Sequence, residues 1–103
     1  MDTLKIIKAL SCEPRLHILE WLKEPRKSFG AITQKPLQEL DDVGVCVGLI
    51  QQKSGLSQST VSHYLALLHE AGLVKMQRVG QWTFYQRNEA VIQGFLQQMS
   101  KQI

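Results

Sequence analysis

Between Leu56 and Val74 the chain reads LSQSTVSHYLALLHEAGLV, with Ser57, Gln58, Ser59, Thr60 and Ser62 crowded into its first third and His63 beside them. Two chemistries compete for such a cluster. Serine next to histidine suggests a nucleophile with its base, whereas short polar side chains in series suggest a surface that hydrogen-bonds another molecule. On a helix Ser62 and His63 point about 100° apart and do not form a nucleophile and base pair. The chain has no G-x-S-x-G elbow, no glycine-rich phosphate loop and no H-E-x-x-H, and His17 and His69 are equally unaccompanied. No catalytic residue is assigned, and an enzyme is not expected.

The same hydroxyls also suit a helix cap followed by a solvated face. The neighbouring segments decide between that and a reading surface. VCVGLIQQKSG predicts a short helix over about Val47 to Lys53, ended by Gly55. Ser57 then caps a second helix at about 58–71, whose Val61, Leu65 and Leu68 face a core while Ser59, Ser62, His63 and Ala66 face away. Gly72 supplies the left-handed residue that stops it. Leu73 to Arg78 and Trp82 to Arg87 read as β-strands around Val79-Gly80-Gln81, because WTFYQR is rich in aromatic and β-branched types. Two helices joined by a glycine-containing turn, then a hairpin at about 74–87, make a winged helix-turn-helix.

That shape explains the polar cluster. A major groove admits a helix, and its first two turns can reach base edges and phosphates. Gln58 is the best direct reader because its amide can pair two ways with adenine. Ser59, Thr60, Ser62 and His63 would add shorter contacts, many of them to phosphate. Arg78, Gln81 and Arg87, on or beside the hairpin, could touch backbone or minor groove, although each arginine is equally readable as an exposed strand charge.

Charge agrees with this placement. The net charge of +3 is only mildly basic. Residues 1–52 hold seven Lys/Arg against seven Asp/Glu, and residues 53–103 hold five against two, so the whole excess lies with the predicted reading half. At 103 residues the chain fits one small domain, a size that often gains from association. No run approaches the roughly 20 apolar residues of a membrane span, and MDTLKIIKAL lacks a signal-peptide pattern, so a cytoplasmic protein with no membrane partner is expected. Its two cysteines, Cys12 and Cys46, then start as thiols.

Elsewhere, Leu4, Ile7 and Leu10 recur at helical spacing, PRLHILEWL places Leu16, Leu19 and Trp21 or Leu22 on one side, and Pro14 suits a first helical turn. The last helix, roughly Glu89 to Lys101, carries an apolar stripe of Ile92, Phe95, Leu96, Met99 and Ile103. From Lys23 to Asp42 periodicity fails around Pro25, Gly30 and Pro36. An ordered excursion and a mobile insertion are both open there.

ALSCEPRLHILEWL, SQSTVSHYLALLHEAGLV and RVGQWTFYQ, in this order, resemble the ArsR/SmtB family of bacterial winged helix-turn-helix repressors. The likeness spans nearly the whole chain except residues 23–42, an atypical insertion where the family has a short connection. It implies a mainly α fold with a small β-hairpin wing, dimerising through its terminal helices. It further implies a homodimeric repressor on double-stranded promoter DNA, at an imperfect inverted repeat near its own gene. The stripes on the first and last helices fit such a dimer, and equally an intrachain core. A winged-helix protein-interaction module without an operator is the competing class.

The effector stays open. Family members resembling arsenite sensors carry a CxC pair before the recognition helix, and here the aligned residues are Cys46-Val47-Gly48, with one thiol missing. The family's Asp and His ligands on the last helix are missing too, since residues 89–103 contain no histidine and no cysteine. No metal site and no cofactor are expected. Cys12 and Cys46 remain as redox candidates, as inert buried thiols, or as an incomplete thiolate site for arsenite or zinc completed by His17 or a partner subunit.

Overall fold

Asp2 opens the first helix by accepting the Lys5 amide on its carboxylate at 3.1 Å, and the computed structural model describes residues 2–103 from there on. In this helix, α1 (Thr3–Leu10), two apolar stripes interleave. Ile6 and Ala9 turn to the core, whereas Leu4 and Ile7 are 68% and 41% exposed. The expected Leu4/Ile7/Leu10 stripe therefore contributes only Leu10 to the packing of the subunit.

Helix α2 (Glu13–Lys23) has Pro14 in its first turn and buries Ile18, Leu19 and Leu22. Leu16, expected on the packed side, is 43% exposed, because Ile18 and Leu22 define a stripe rotated away from it. Trp21 is half-buried and meets Phe29 edge to face, ring centres 6.4 Å apart.

Residues 23–42 hold two short helices, α3 (Pro25–Phe29) and α4 (Leu37–Asp42). Each helix is tied down by one buried side chain, Phe29 and Leu40 respectively. Arg26 braces them together, its Nε 2.7 Å from Asp41 and its Nη2 donating to Gln38 at 2.8 Å. Pro25 is the first residue of α3 and Pro36 immediately precedes α4, positions where a fixed φ and a missing amide cost a helix nothing.

Next comes a two-residue strand that the sequence does not signal, β1 (Val45–Cys46). It pairs antiparallel with β3 (Trp82–Arg87), which pairs in turn with β2 (Val74–Val79), giving the sheet order β1-β3-β2. Gly44 admits this third strand. Its φ is 113°, and a Cβ there would stand 2.6 Å from the Tyr85 carbonyl oxygen.

Helices α5 (Val47–Ser54) and α6 (Gln58–Glu70) match the expected helix-turn-helix within a residue. Val61, Leu65 and Leu68 are fully buried in one contiguous core with Ile6, Ile18 and Ile50. Beyond α6, Gly72 takes φ 81° and the Leu73 amide reaches back to the Leu68 carbonyl at 3.0 Å, ending the helix as expected. The hairpin tip is tighter than the sequence suggests. Val79 pairs with Trp82, so only Gly80 and Gln81 turn the corner.

Helix α7 (Glu89–Gln102) starts at Asn88, whose side chain accepts the Val91 amide at 3.4 Å. Its apolar stripe splits as that of α1 does. Ile92 and Phe95 are buried, while Leu96 is 53% and Ile103 99% exposed.

Candidate nucleic-acid interface

The first turn of α6 is fixed by a hydroxyl network. Ser57 Oγ accepts the Thr60 amide at 3.2 Å and donates to Thr60 Oγ1 at 2.8 Å, with Ser59 Oγ 3.3 Å away. The cap and the outward face are thus divided between residues. Ser57 and the half-buried Thr60 hold the helix start, whereas Gln58, Ser59, Ser62 and His63 stand exposed beyond it. Thr60, expected to face a partner, has its hydroxyl hydrogen-bonded within the cap.

Gln58 and Ser62 line one wall of a cleft of about 530 Å³ between α6 and the hairpin. Gln81, Trp82 and Thr83 line the opposite wall, and Cys46 and Gln51 close its inner end. Three of the residues singled out in the sequence, Gln58, Ser62 and Gln81, are therefore gathered at one opening. Arg78 joins them by register: it is the partner of Thr83, on the sheet face shared with Met76 and Tyr85, which also line the cleft. Ser59 and His63 lie on α6 outside that lining, and His63 packs obliquely beside Tyr64, ring centres 6.2 Å apart.

Arg87 is set apart. It closes the base of the hairpin opposite Val74, only 13% of its side chain is exposed, and both its Nε and Nη2 donate to the Glu89 carboxylate. The hydrogen bonds from Arg87 hold the Glu89 carboxyl below its ordinary range, against a smaller upward push from burial. Burial alone raises the Tyr85 phenol at the cleft floor.

Sequence reasoning missed Thr83 and Gln51, which complete the cleft. Thr83 was recoverable from strand alternation opposite Arg78, but no local signal marks Gln51. It also missed Lys35, whose Nζ lies 5.2 Å from the Trp82 ring centre and 5.0 Å from that of Phe84, so residues from the 23–42 segment seat against the wing. The Gln86 amide adds a bond to the Asp41 carbonyl at 2.8 Å.

The cysteines are not joined. Cys12 precedes α2 and Cys46 lies in β1, both half-buried free thiols. Among the described residues no three His, Cys, Asp or Glu side chains gather as metal ligands. His17, suggested as a third ligand, instead lies 3.8 Å from Glu13 and beside Trp21. A thiolate site completed by His17 within one subunit is therefore not formed. No helix among the described residues is long and apolar enough to cross a membrane.

A helix-turn-helix followed directly by an antiparallel hairpin defines a winged helix-turn-helix domain. Residues 45–76, from β1 to the middle of β2, match the model of the arsR family of bacterial regulatory proteins. Over 94 residues the chain is 45% identical to YbzH, an uncharacterised HTH-type transcriptional regulator of Bacillus subtilis, covering 89% of each protein. It is 36% identical over 61 residues to MJ1325 of Methanocaldococcus jannaschii, another uncharacterised HTH-type regulator, covering 57% of this chain and 68% of that one. Among solved structures it resembles the homodimeric winged helix-turn-helix DNA-binding domain of Mb0332 from Mycobacterium bovis, with a TM-score of 0.63 and 27% identity over 98% of this chain and 80% of that one. The chain belongs to the ArsR family: it is a transcriptional regulator with a winged helix-turn-helix fold, not an enzyme.

Proposed function

We propose that the chain is a homodimeric repressor that binds promoter DNA with the start of α6 in the major groove and the wing tip against the flanking backbone. The observation that carries this reading is the shared cleft, in which Gln58 and Ser62 face Gln81 and Thr83 with Arg78 on the same wing face. Those side chains are uncharged hydrogen-bonding groups and one guanidinium, the types that reach base edges and phosphates. Free amides in the first turn of α6 add positive dipole toward a phosphate.

The dimer rests on a different observation. Leu4 and Ile7 on α1, Leu96 on α7 and Ile103 just beyond it are large, apolar and exposed, and large exposed apolar surface marks sites of association. The Mb0332 domain is homodimeric, and a second subunit would present a second α6 to the same face of the duplex. Repression follows from occupying the site that RNA polymerase needs.

The test is fluorescence anisotropy of the full chain with a labelled fragment from upstream of its own gene, titrated with salt. Specific binding that weakens steeply with salt supports the reading. Absence of binding to promoter DNA at low salt overturns it, and leaves a protein-docking role for the winged helix.

A further inference from the structure

Adjoining the reading cleft, with which it shares Cys46, Gly48 and Trp82, a second recess of about 320 Å³ opens between residues 33–35, the start of α5 and the wing. Its walls are mostly apolar: Leu49, the Cys46 side chain and one edge of Trp82. Gly48 lines the recess as well as the reading cleft, and a Cβ built there meets no atom within 4 Å, so a larger side chain has open space to enter. One charged group, Lys35, stands at the rim, and the Gln52 amide offers a further donor.

We propose that this recess is the effector site of the regulator and takes a small organic acid with a flat apolar body. The inference rests on the reading of the chain as a DNA-binding regulator. Its volume lies at the small end of ligand pockets and suits a single ring, and the apolar lining with one or two placed polar groups is the usual make-up of such pockets. Charge complementarity selects an anion. Among the described residues Lys35 is the only charged side chain lining the recess; its ammonium carries three donors and lies 3.5 Å from the Glu39 carboxylate. Glu39 also sets selectivity. An anion must bring apolar surface to compete with a resident carboxylate, so acetate or chloride gains too little.

The recess is wired to the wing. The Lys35 ammonium that would meet the ligand carboxylate already lies against the rings of Trp82 and Phe84 on β3, and Trp82 also lines the reading cleft. A carboxylate drawing Lys35 off those rings removes a cation–π contact that seats the wing. The wing is thereby released relative to α6, and the two walls of the reading cleft lose their fixed spacing. This gives ligand and DNA different affinities for the two wing positions, which is the requirement for coupling between the sites.

The experiment uses the full chain labelled with ¹⁵N, with benzoate, benzyl alcohol and acetate as probes. The two indole N–H signals are assigned with Trp82→Phe, and each probe is titrated without DNA, so that the result stands apart from any failure of DNA binding. Saturable displacement of the Trp82 signal by benzoate, about tenfold weaker or more for benzyl alcohol and acetate, is expected. Lys35→Gln should remove the preference for benzoate over benzyl alcohol, and Gly48→Leu, which fills that open space, should abolish both. A non-saturating benzoate response, or the same preference in Lys35→Gln, overturns the site. Where benzoate saturates it, promoter affinity is expected to change about fivefold or more. Unchanged promoter affinity at saturation overturns the effector role.

Discussion

Arg78 and Thr83 face each other across the wing as register partners, which puts the guanidinium on the sheet face that looks toward α6. Arg87 shares that face by register but sits at the base of the hairpin bound to Glu89, which separates two residues the sequence treats alike. Arg78→Ala is expected to weaken promoter binding on every sequence alike and to reduce the salt slope by about one, as loss of one phosphate contact does. Binding isotherms at several salt concentrations measure this, and an unchanged slope would place Arg78 outside the interface.

Arg87 should behave differently, because it is bound to Glu89. Glu89 has a folded-state pKa below its ordinary value of 4.5, so its contribution to stability is present above that value and is lost as pH falls through the lower folded one. In Arg87→Gln the Glu89 titration should move up toward 4.5, and the acid-side loss should flatten. NMR of the Glu89 carboxyl across pH 2 to 7, with denaturant melts at both ends, follows both effects. Promoter affinity should fall less than in Arg78→Ala.

Ser57 tests whether the start of α6 is organised by its cap. Ser57→Ala removes the acceptor of the Thr60 amide and should cost about 1 kcal/mol, lowering Tm by roughly 4–8 °C. Ser57→Asp keeps an acceptor and suits the helix dipole, so thermal stability should be retained while the added charge weakens DNA binding. Calorimetry and anisotropy on the same two variants separate capping from reading. Equal melting of Ser57→Ala and wild type would show that the cap does not hold the helix start.

The outward stripes predict the association mode. Leu96→Glu alone, or Leu4→Glu with Ile7→Glu, should convert a dimer to monomers without unfolding, since all three side chains are already exposed within the subunit. Sedimentation velocity with circular dichroism checks both halves. A dimer that survives these charges must use another face.

How much of the fold is readable in the sequence follows from the length and period of each element. Helix α6 is legible because Val61, Leu65 and Leu68 repeat over two turns between a serine cap and Gly72. The hairpin is legible from its aromatic strand and glycine tip. Strand β1 is not, because Val45 and Cys46 are too few to show alternation and owe their pairing to Tyr85 and Phe84 about forty residues on. Helices α3 and α4 run for five and six residues and bury one side chain each, so no period can develop. Within α1 and α7, two apolar stripes share each helix, and only the packed structure shows which one turns inward.

The candidate site divides in the same way. Gln58 and Ser62 can be placed from helix geometry alone. Arg87 cannot be assigned, because its partner Glu89 becomes a partner only where the strand ends and α7 begins. Lys35 is farther still from local inference: a lone lysine in an aperiodic stretch meets Trp82 forty-seven positions later only through the tertiary fold.

Base-by-base discrimination by Gln58 decides whether α6 reads sequence. Wild type and Gln58→Ala are to be titrated against a bound promoter site in which each base pair is replaced in turn. Wild type should lose about 1–3 kcal/mol when one particular A·T pair is changed, and Gln58→Ala should bind more weakly and be indifferent to that pair alone. Identical discrimination profiles for the two proteins would contradict the placement of α6 in the major groove.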